Sequence, residues 1–247
     1  NFEPKPDPCW ACPSHHCHTM RVTEGRYKGE TIEEPEAEAF RAWGSTTGHT
    51  DVATTMVLAN DVDRWGMDTN EAGYLMGMVM ECYAKGIINR EDTDGLEMTW
   101  GNADATREML RKIAFREGFG NVLAEGIMRA ARLIGGEAHN MGVHTMKGNS
   151  VRGHDHRIHW LELFDTSVSN TGTIETTRIA PREMYGIPAQ INQFDPDTVV
   201  SVNVKGKVAM QFEDCLGVCR FAARLDTLSE IEALKAATGW EDFTFAE

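Results

Sequence analysis

No apolar run in this sequence approaches the roughly 20 residues that a membrane-spanning helix needs, and no N-terminal stretch couples basic residues to a hydrophobic segment as a leader would. Cationic side chains are in short supply: 24 Lys and Arg stand against 38 Asp and Glu, for a net charge of −14. A surface for nucleic acid needs clustered Lys and Arg to meet phosphates, so that class of partner is excluded. Cysteine is sparse, six in 247 residues, which is too few for a disulfide scaffold. Neither an internal repeat nor a low-complexity tract is present. What is there is an ordinary globular composition, 41% hydrophobic and 25% charged, in a chain long enough for one large domain or two modest ones.

The few cysteines are not scattered. Cys9, Cys12 and Cys17 form C-x2-C-x4-C within CWACPSHHCH, and Cys219, in EDCLGVCRF, is the obvious distant fourth. Three thiolates from one short loop, completed by a fourth from afar, suit a 4Fe-4S cluster. The same donors would hold a structural zinc, and spacing leaves both open. Such clustering favours metal ligation in a reducing compartment, so a cytoplasmic location is expected. The chain opens on NFEPKPDPC without an initiator Met and reaches the cysteine loop almost at once. A redox cluster wants cover on all sides, so the sequence reads as a piece of something larger.

Helical patterning dominates beyond the cysteine loop. The polar, Gly-spaced run RVTEGRYKGETIEEPEAEA predicts a short hairpin or loop leading into a helix near Glu36. TDVATTMVLANDVDRWG places Val52, Met56, Val57 and Leu58 at helical spacing, with Thr50 or Asp51 as N-cap and Gly66 as a stop. Residues 69–86 predict a buried apolar helix ending at Gly86, its methionines in the core. A further helix, capped by Asn102 or Asp104, carries Met109, Leu110 and Ile113 on one face and reaches its C-terminal end at Gly118. FGNVLAEGIMRAARLIGG continues as another, the two meeting at a corner around Gly118 and Gly120. Residues 136–206 read as long functional loops with short helices. Helical character returns at VKGKVAMQFEDCLGVCRFAARL and at LSEIEALKAATG, with Thr227 or Ser229 as cap. The expected fold class is mostly α, divided into 1–135 and 136–247, with the loop-rich segment lining a site.

Two short segments match each other. NDVDRWGMD holds Asp63, Gly66 and Asp68 as D-x-x-G-M-D, and EDCLGVC holds Asp214, Gly217 and Cys219 as D-x-x-G-V-C. With the cysteine loop and REGFGNVLAEG, they resemble the aldehyde:ferredoxin oxidoreductase family of tungsten enzymes. The resemblance implies the helical C-terminal domains of that fold, with paired D-x-x-G-L-(C/D) segments cradling two pterins that chelate tungsten, or molybdenum, which takes the same dithiolene ligands. It also implies a 4Fe-4S cluster on Cys9, Cys12, Cys17 and Cys219, and so favours iron-sulfur over zinc. The chemistry is consistent: an Asp accepts hydrogen bonds from pterin N–H groups, and a Gly lets the backbone approach a flat ring. Thr69, directly after the first motif, and Lys147, in HTMKG, are implied cofactor contacts. The family's N-terminal β-rich domain has no counterpart in these residues, so the parent polypeptide or a partner chain is expected to supply it. An oligomer served by ferredoxin or an iron-sulfur electron-transfer subunit is the implied assembly.

Departures from the family bear on substrate. Its usual loop is C-x2-C-x3-C, whereas here one residue is inserted and His15, His16 and His18 crowd Cys17. In aldehyde-oxidising members a Glu soon after the cysteine loop and a His just before a KG pair act on the aldehyde. The matching positions are Glu36 or Glu38, and His144, which is offset by one residue. The HHC loop and the DTNEAG wording are more similar to the active-site subunit of class II benzoyl-CoA reductase, a branch of the same family that reduces an aromatic ring. His15 and His16 are then the implied proton donors, since imidazoles give protons near neutral pH. That branch can carry a cysteine thiolate on tungsten, but Thr69 follows the first motif here and Cys82 lies helical turns downstream, where burial as a small hydrophobe is the plainer reading.

Plainer readings also stand beside other residues. His154, His156 and His159 in RGHDHRIHW fit either a second metal site or contacts with cofactor phosphates and solvent. Arg152 and Arg157 fit phosphate binding or salt bridges with the many carboxylates, and Cys215 reads as structural. Three functions are compatible with these residues: low-potential reduction of an aromatic acyl-CoA first, aldehyde oxidation second, and a non-catalytic zinc or electron-transfer module third.

Overall fold

A computed structural model of the chain describes residues 1–10, 12, 16–170, 190–217, 219 and 230–243. By its contacts the chain divides into two units, residues 1–6 with 17–154, and residues 7–16 with 155–247; the sequence alone suggests one boundary, after 135.

The first unit opens with an antiparallel sheet of β1 (Phe2–Pro6), β2 (His18–Val22) and β3 (Thr31–Glu33), in that spatial order. Pro6 pairs with His18, so the cysteine loop is the connection of a hairpin. The expected hairpin is β2 with β3; strand β1 is an addition, since FEPKP carries two prolines that lack a ladder N–H, and a sheet edge is where these are tolerated. Val22 and Ile32 of the sheet, with Tyr27 of the turn between β2 and β3, bury themselves against Met56 and Val57.

Helices come next: α1 (Ala37–Phe40) running into a π-helical turn at Arg41–Thr46, then α2 (Val52–Arg64), α3 (Thr69–Ala84), α4 (Ala103–Phe115), α5 (Phe119–Leu123) and α6 (Ile127–Ile134). Asp51 and Asn102 cap as expected, accepting from the N–H of Thr54 and of Ala105. The core gathers Trp43, Leu58, Met76, Met78, Val79, Met109, Leu110, Leu123 and Ile127, each such side chain contributing about 1.5–3 kcal/mol on burial. Cys82 sits among them, fully buried. Gly73 and Gly77 give α3 a bare face: a Cβ on Gly73 would stand 2.5 Å from that of Ala42, and one on Gly77 3.2 Å from Thr46 Cγ2. That bare face admits the π-helical turn.

Two expectations need correction. Helix α4 ends on Arg116, itself left-handed at φ 55°, while Gly118 opens α5 instead of closing α4. The run beyond Gly118 is two helices, broken at Gly126 (φ 83°). Helix α5 lies hard on α4, since a Cβ at Gly120 would come within 2.3 Å of the Lys112 carbonyl carbon, and the chain turns away before α6 begins.

The second unit has α7 (Trp160–Val168), α8 (Pro196–Leu216) and α9 (Glu230–Thr238). Helix α8 starts upstream of the expected VKGK run, because Asp195 accepts from Thr198 N–H at 2.9 Å and Pro196 occupies the first turn. The expected caps Thr227 and Ser229 lie outside the described residues. The fold is mostly α as expected, and among the described residues no helix is long and apolar enough to cross a membrane.

Candidate functional site

The two D-x-x-G segments fold alike. At the end of α2, Gly66 takes φ 67° and its N–H donates to the Asp63 carbonyl at 3.0 Å, while Met67 N–H reaches back to Val62 at 3.0 Å. These are the paired bonds of a helix closed by a left-handed glycine. At the end of α8, Gly217 also takes φ 67° and donates to the Asp214 carbonyl at 3.1 Å. Only a residue without a Cβ sits there unstrained.

Beyond the glycine the first segment starts a new helix. Asp68 Oδ1 accepts from Glu71 N–H at 2.7 Å and so caps α3, and Thr69 Oγ1 accepts from the buried Trp43 indole at 3.1 Å. Asp63 reaches solvent, yet the packing around it, reinforced by the Glu33 carboxylate, pushes its pKa up. Asp214 and Cys219 are exposed. Met67, Asp68, Glu71, Ala72, Leu75 and Gly126 contribute to a mostly apolar groove of about 190 Å³ beside the first segment.

The carboxylate of Glu38 lies at the start of the helical region, on α1. Its Oε1 accepts from Arg152 Nη2 and lies 3.4 Å from His154 Nε2. Burial works to raise its pKa, but a backbone hydrogen bond, Arg152 and His154 outweigh that and hold the carboxyl below its usual range. Glu36 is exposed and N-terminal to α1, without a side-chain capping bond. His144 Nδ1 lies 2.8 Å from the Thr145 carbonyl, and among the described residues no hydrogen bond or ion pair joins it to Glu38. Lys147 is exposed on a turn closed by Gly148 N–H to the Thr145 carbonyl at 3.0 Å. Of the loop histidines, His16 is exposed and His18 pairs with Glu34 at 2.7 Å, while His15 lies outside the described residues.

Sequence reasoning missed Glu71. Its Oε1 accepts from Ile127 N–H and its Oε2 from Ser150 N–H, each at 2.6 Å. No local signal points to it, because its partners lie 56 and 79 residues away. Of the histidines of RGHDHRIHW, His154 meets Glu38 at 3.4 Å and His156 meets Glu162 at 3.3 Å. Arg152 and Arg157 are both in salt bridges, with Glu38 and Asp155.

As a donor set, Cys9 and Cys219 are exposed free thiols, Cys12 and Cys17 are partly exposed, and Cys12 N–H donates to the Cys9 carbonyl at 3.0 Å in a tight turn. Reachable, reduced thiols are the chemistry that iron or zinc needs. Cys82 differs, buried with its thiol pKa pushed up by desolvation. Among the described residues, no three His, Cys, Asp or Glu side chains converge to hold a metal ion.

A chain that closes two helices on Asp-x-x-Gly turns and also carries a cysteine-rich loop belongs to a recognisable class, and comparison with known proteins identifies it. The profile described as "Aldehyde ferredoxin oxidoreductase, domains 2 & 3" matches residues 1–247, and the chain belongs to that family. It is 32% identical over 244 residues to a tungsten-containing aldehyde ferredoxin oxidoreductase of Pyrococcus abyssi, covering 95% of this chain and 38% of the relative. The namesake of Pyrococcus furiosus is 33% identical over 245 residues, covering 96% and 38%. A second Pyrococcus furiosus relative, named an aliphatic sulfonate oxidoreductase WOR-like subunit, is 27% identical over 237 residues. The chain thus spans 38% of the length of the aldehyde ferredoxin oxidoreductases it matches. In fold it is similar to the active site complex BamBC of benzoyl coenzyme A reductase, solved with 1,5-dienoyl-CoA: TM-score 0.58, 19% identity, 81% of this chain and 31% of that one.

Proposed function

We propose that this chain forms the helical, cofactor-holding part of a two-electron oxidoreductase. The observation that carries the reading is the family match over residues 1–247, within which the Asp63–Gly66 and Asp214–Gly217 motifs each close a helix on a left-handed glycine. Cys9, Cys12, Cys17 and Cys219 would hold a 4Fe-4S cluster, and the Asp63 and Asp214 turns would face the pterins. Bound there, a tungsten bis-pterin would supply two-electron chemistry and a cluster on those cysteines would supply one-electron relay.

The reaction best supported is oxidation of an aldehyde with water to a carboxylic acid, releasing two protons and two electrons to that carrier. Glu38 supports it, occupying a position that matches the family's aldehyde-side Glu. Held as a carboxylate, it accepts a hydrogen bond from water and does not donate a proton. The names of the curated relatives point the same way. A second reading, addition of two electrons and two protons to an aromatic acyl-CoA to give a cyclic dienoyl-CoA, is favoured by the inserted residue in the cysteine loop. It brings imidazoles, which are proton donors, beside Cys17.

The test is anaerobic purification of the full-length protein from its native source, with elemental analysis for W, Mo, Fe and Zn. Benzaldehyde is then assayed with a viologen acceptor and benzoyl-CoA with a strong reductant. Tungsten with about four irons per chain and benzaldehyde turnover are expected. Benzoyl-CoA turnover alone would transfer the conclusion to the second reading. Zinc without iron or tungsten would sink both and leave the non-catalytic module.

A further inference from the structure

The segment Ser150–His154 is fastened at two places. At one end Ser150 N–H donates to Glu71 Oε2 at 2.6 Å; at the other, Arg152 and His154 both reach the same oxygen of Glu38. Gly153 between them passes over Arg41, whose Cβ and Cδ would lie 3.5 Å from a Cβ placed there. Of the three clustered side chains the carboxylate is the most enclosed, 12% exposed against 30% for Arg152 and 21% for His154. A carboxylate so enclosed takes up a proton unless charge and hydrogen bonds oppose it. Among the described residues, Arg152 and His154 are the charged or titratable side chains paired with it.

We propose that Arg152 is a positioning residue for Glu38: with His154 it fixes the rotamer and negative charge of that carboxylate, so that Glu38 meets the reaction as a hydrogen-bond acceptor, not a proton donor. This rests on the aldehyde reading and adds a residue to it. Arg152 acts through Glu38, so its removal lowers turnover only while Glu38 is intact. The guanidinium fork matters as well as the charge, because Lys presents a point charge and not a planar pair of donors.

The experiment uses the full-length holoenzyme with benzaldehyde and a viologen acceptor, in the variants R152Q, R152K, E38Q and R152Q/E38Q. R152Q is expected to lower kcat about tenfold or more while KM stays within about twofold, with R152K recovering part. The acid limb of its kcat profile moves to higher pH, and R152Q adds nothing in the E38Q background. An equal loss in both backgrounds, or an unmoved acid limb, overturns the inference. If the holoenzyme lacks tungsten or leaves benzaldehyde unchanged, the functional reading has failed, and melting of the metal-free full-length protein decides the inference alone. Wild type should then out-melt R152Q at neutral pH. The gap should begin to close as pH falls below about 4.5, the ordinary value for Glu, and vanish below the depressed folded value, because the stabilisation is complete above the unfolded pKa and lost as pH falls through the folded one. No gap at neutral pH overturns the inference on that arm.

Discussion

Glu71 joins three parts of the first unit through one side chain, and its removal gives a sharp test of the packing. Helix α6 begins at Gly126, which has no side chain to cap it, and Glu71 of α3 supplies the missing acceptor to Ile127 N–H. Its second oxygen takes Ser150 N–H, so the loop that carries Arg152 and His154 is tied to the same residue. Hydrogen bonds to a charged acceptor contribute about 1.5–3 kcal/mol each, and two would give about 3–6 kcal/mol if no water could replace them. Glu71 is half-buried, and water entering the gap in Glu71→Ala reduces that by about half, to about 1.5–3 kcal/mol. In a domain of this size that corresponds to roughly 3–12 °C in Tm. Glu71→Gln is the sharper probe, because its amide offers one oxygen where two N–H groups wait, so one of them faces another donor. The assay is thermal melting of the metal-free full-length protein together with amide hydrogen exchange. Exchange should accelerate at Ile127 and Ser150 and stay unchanged at Thr54 on α2, and an exposed control, Glu24→Ala, should move stability by less than about 0.5 kcal/mol. Unchanged exchange at both amides in Glu71→Ala would refute the reasoning whatever the melting point did.

Gly73→Ala should destabilise by about 1–3 kcal/mol by forcing α3 off the π-helical turn at Ala42, measurable by denaturant unfolding; Gly86→Ala meets no atom within 4 Å and so reports backbone strain alone. Gly66→Ala and Gly217→Ala should each cost about 1–2 kcal/mol for a left-handed residue, and matching losses of pterin, read fluorimetrically after release, would tie both turns to the cofactor. His49 is buried with its pKa lowered by desolvation, so stability should be flat above about pH 6.5 and fall as pH drops toward the depressed folded value. The slope is at most about 1.4 kcal/mol per pH unit from this group, and His49→Asn, melted across that range, should flatten it.

What the sequence discloses and what it hides divide along the range of the interactions. Helices α2, α3 and α4 are legible because their apolar spacing is local, and α2 and α4 show their caps as well, Asp51 to Thr54 and Asn102 to Ala105, whereas the Asp68 cap of α3 is hidden inside the D-x-x-G-M-D motif. The start of α8 is not, since PDTVVSVN is rich in β-branched residues and reads as irregular until Asp195 is seen to cap it. The π-helical turn depends on glycines of α3 that by propensity alone only weaken a helix. For the candidate site, the paired motifs and Glu38 are visible as residue types, while the partners that set their chemistry come from segments far along the chain. Arg152 lies 114 residues from Glu38, and no local pattern connects them.

That contrast also separates the two jobs the first D-x-x-G-M-D segment does. Read as a cofactor motif, Asp68 is a ligand to a pterin; in the structure it is first a cap, bonded to the N–H of Glu71. Asp63 makes no such local commitment: it is exposed, yet partial packing and then the Glu33 carboxylate raise its pKa, and among the described residues no cation is paired with it to offset them. A group in that condition gains when N–H donors are brought to it, which is what the edge of a pterin presents. If the first cradle works as proposed, Asp63→Asn should weaken pterin retention, because an amide is a poorer acceptor, while leaving the melting point of the metal-free protein unchanged or higher. Asp68→Asn should leave α3 capped, since Asn serves at an N-cap nearly as well as Asp, so any pterin loss it causes reports cofactor contact and not unfolding. Equal retention in Asp63→Asn and wild type would move the pterin contact away from Asp63 and leave its raised pKa as a consequence of Glu33 and packing alone.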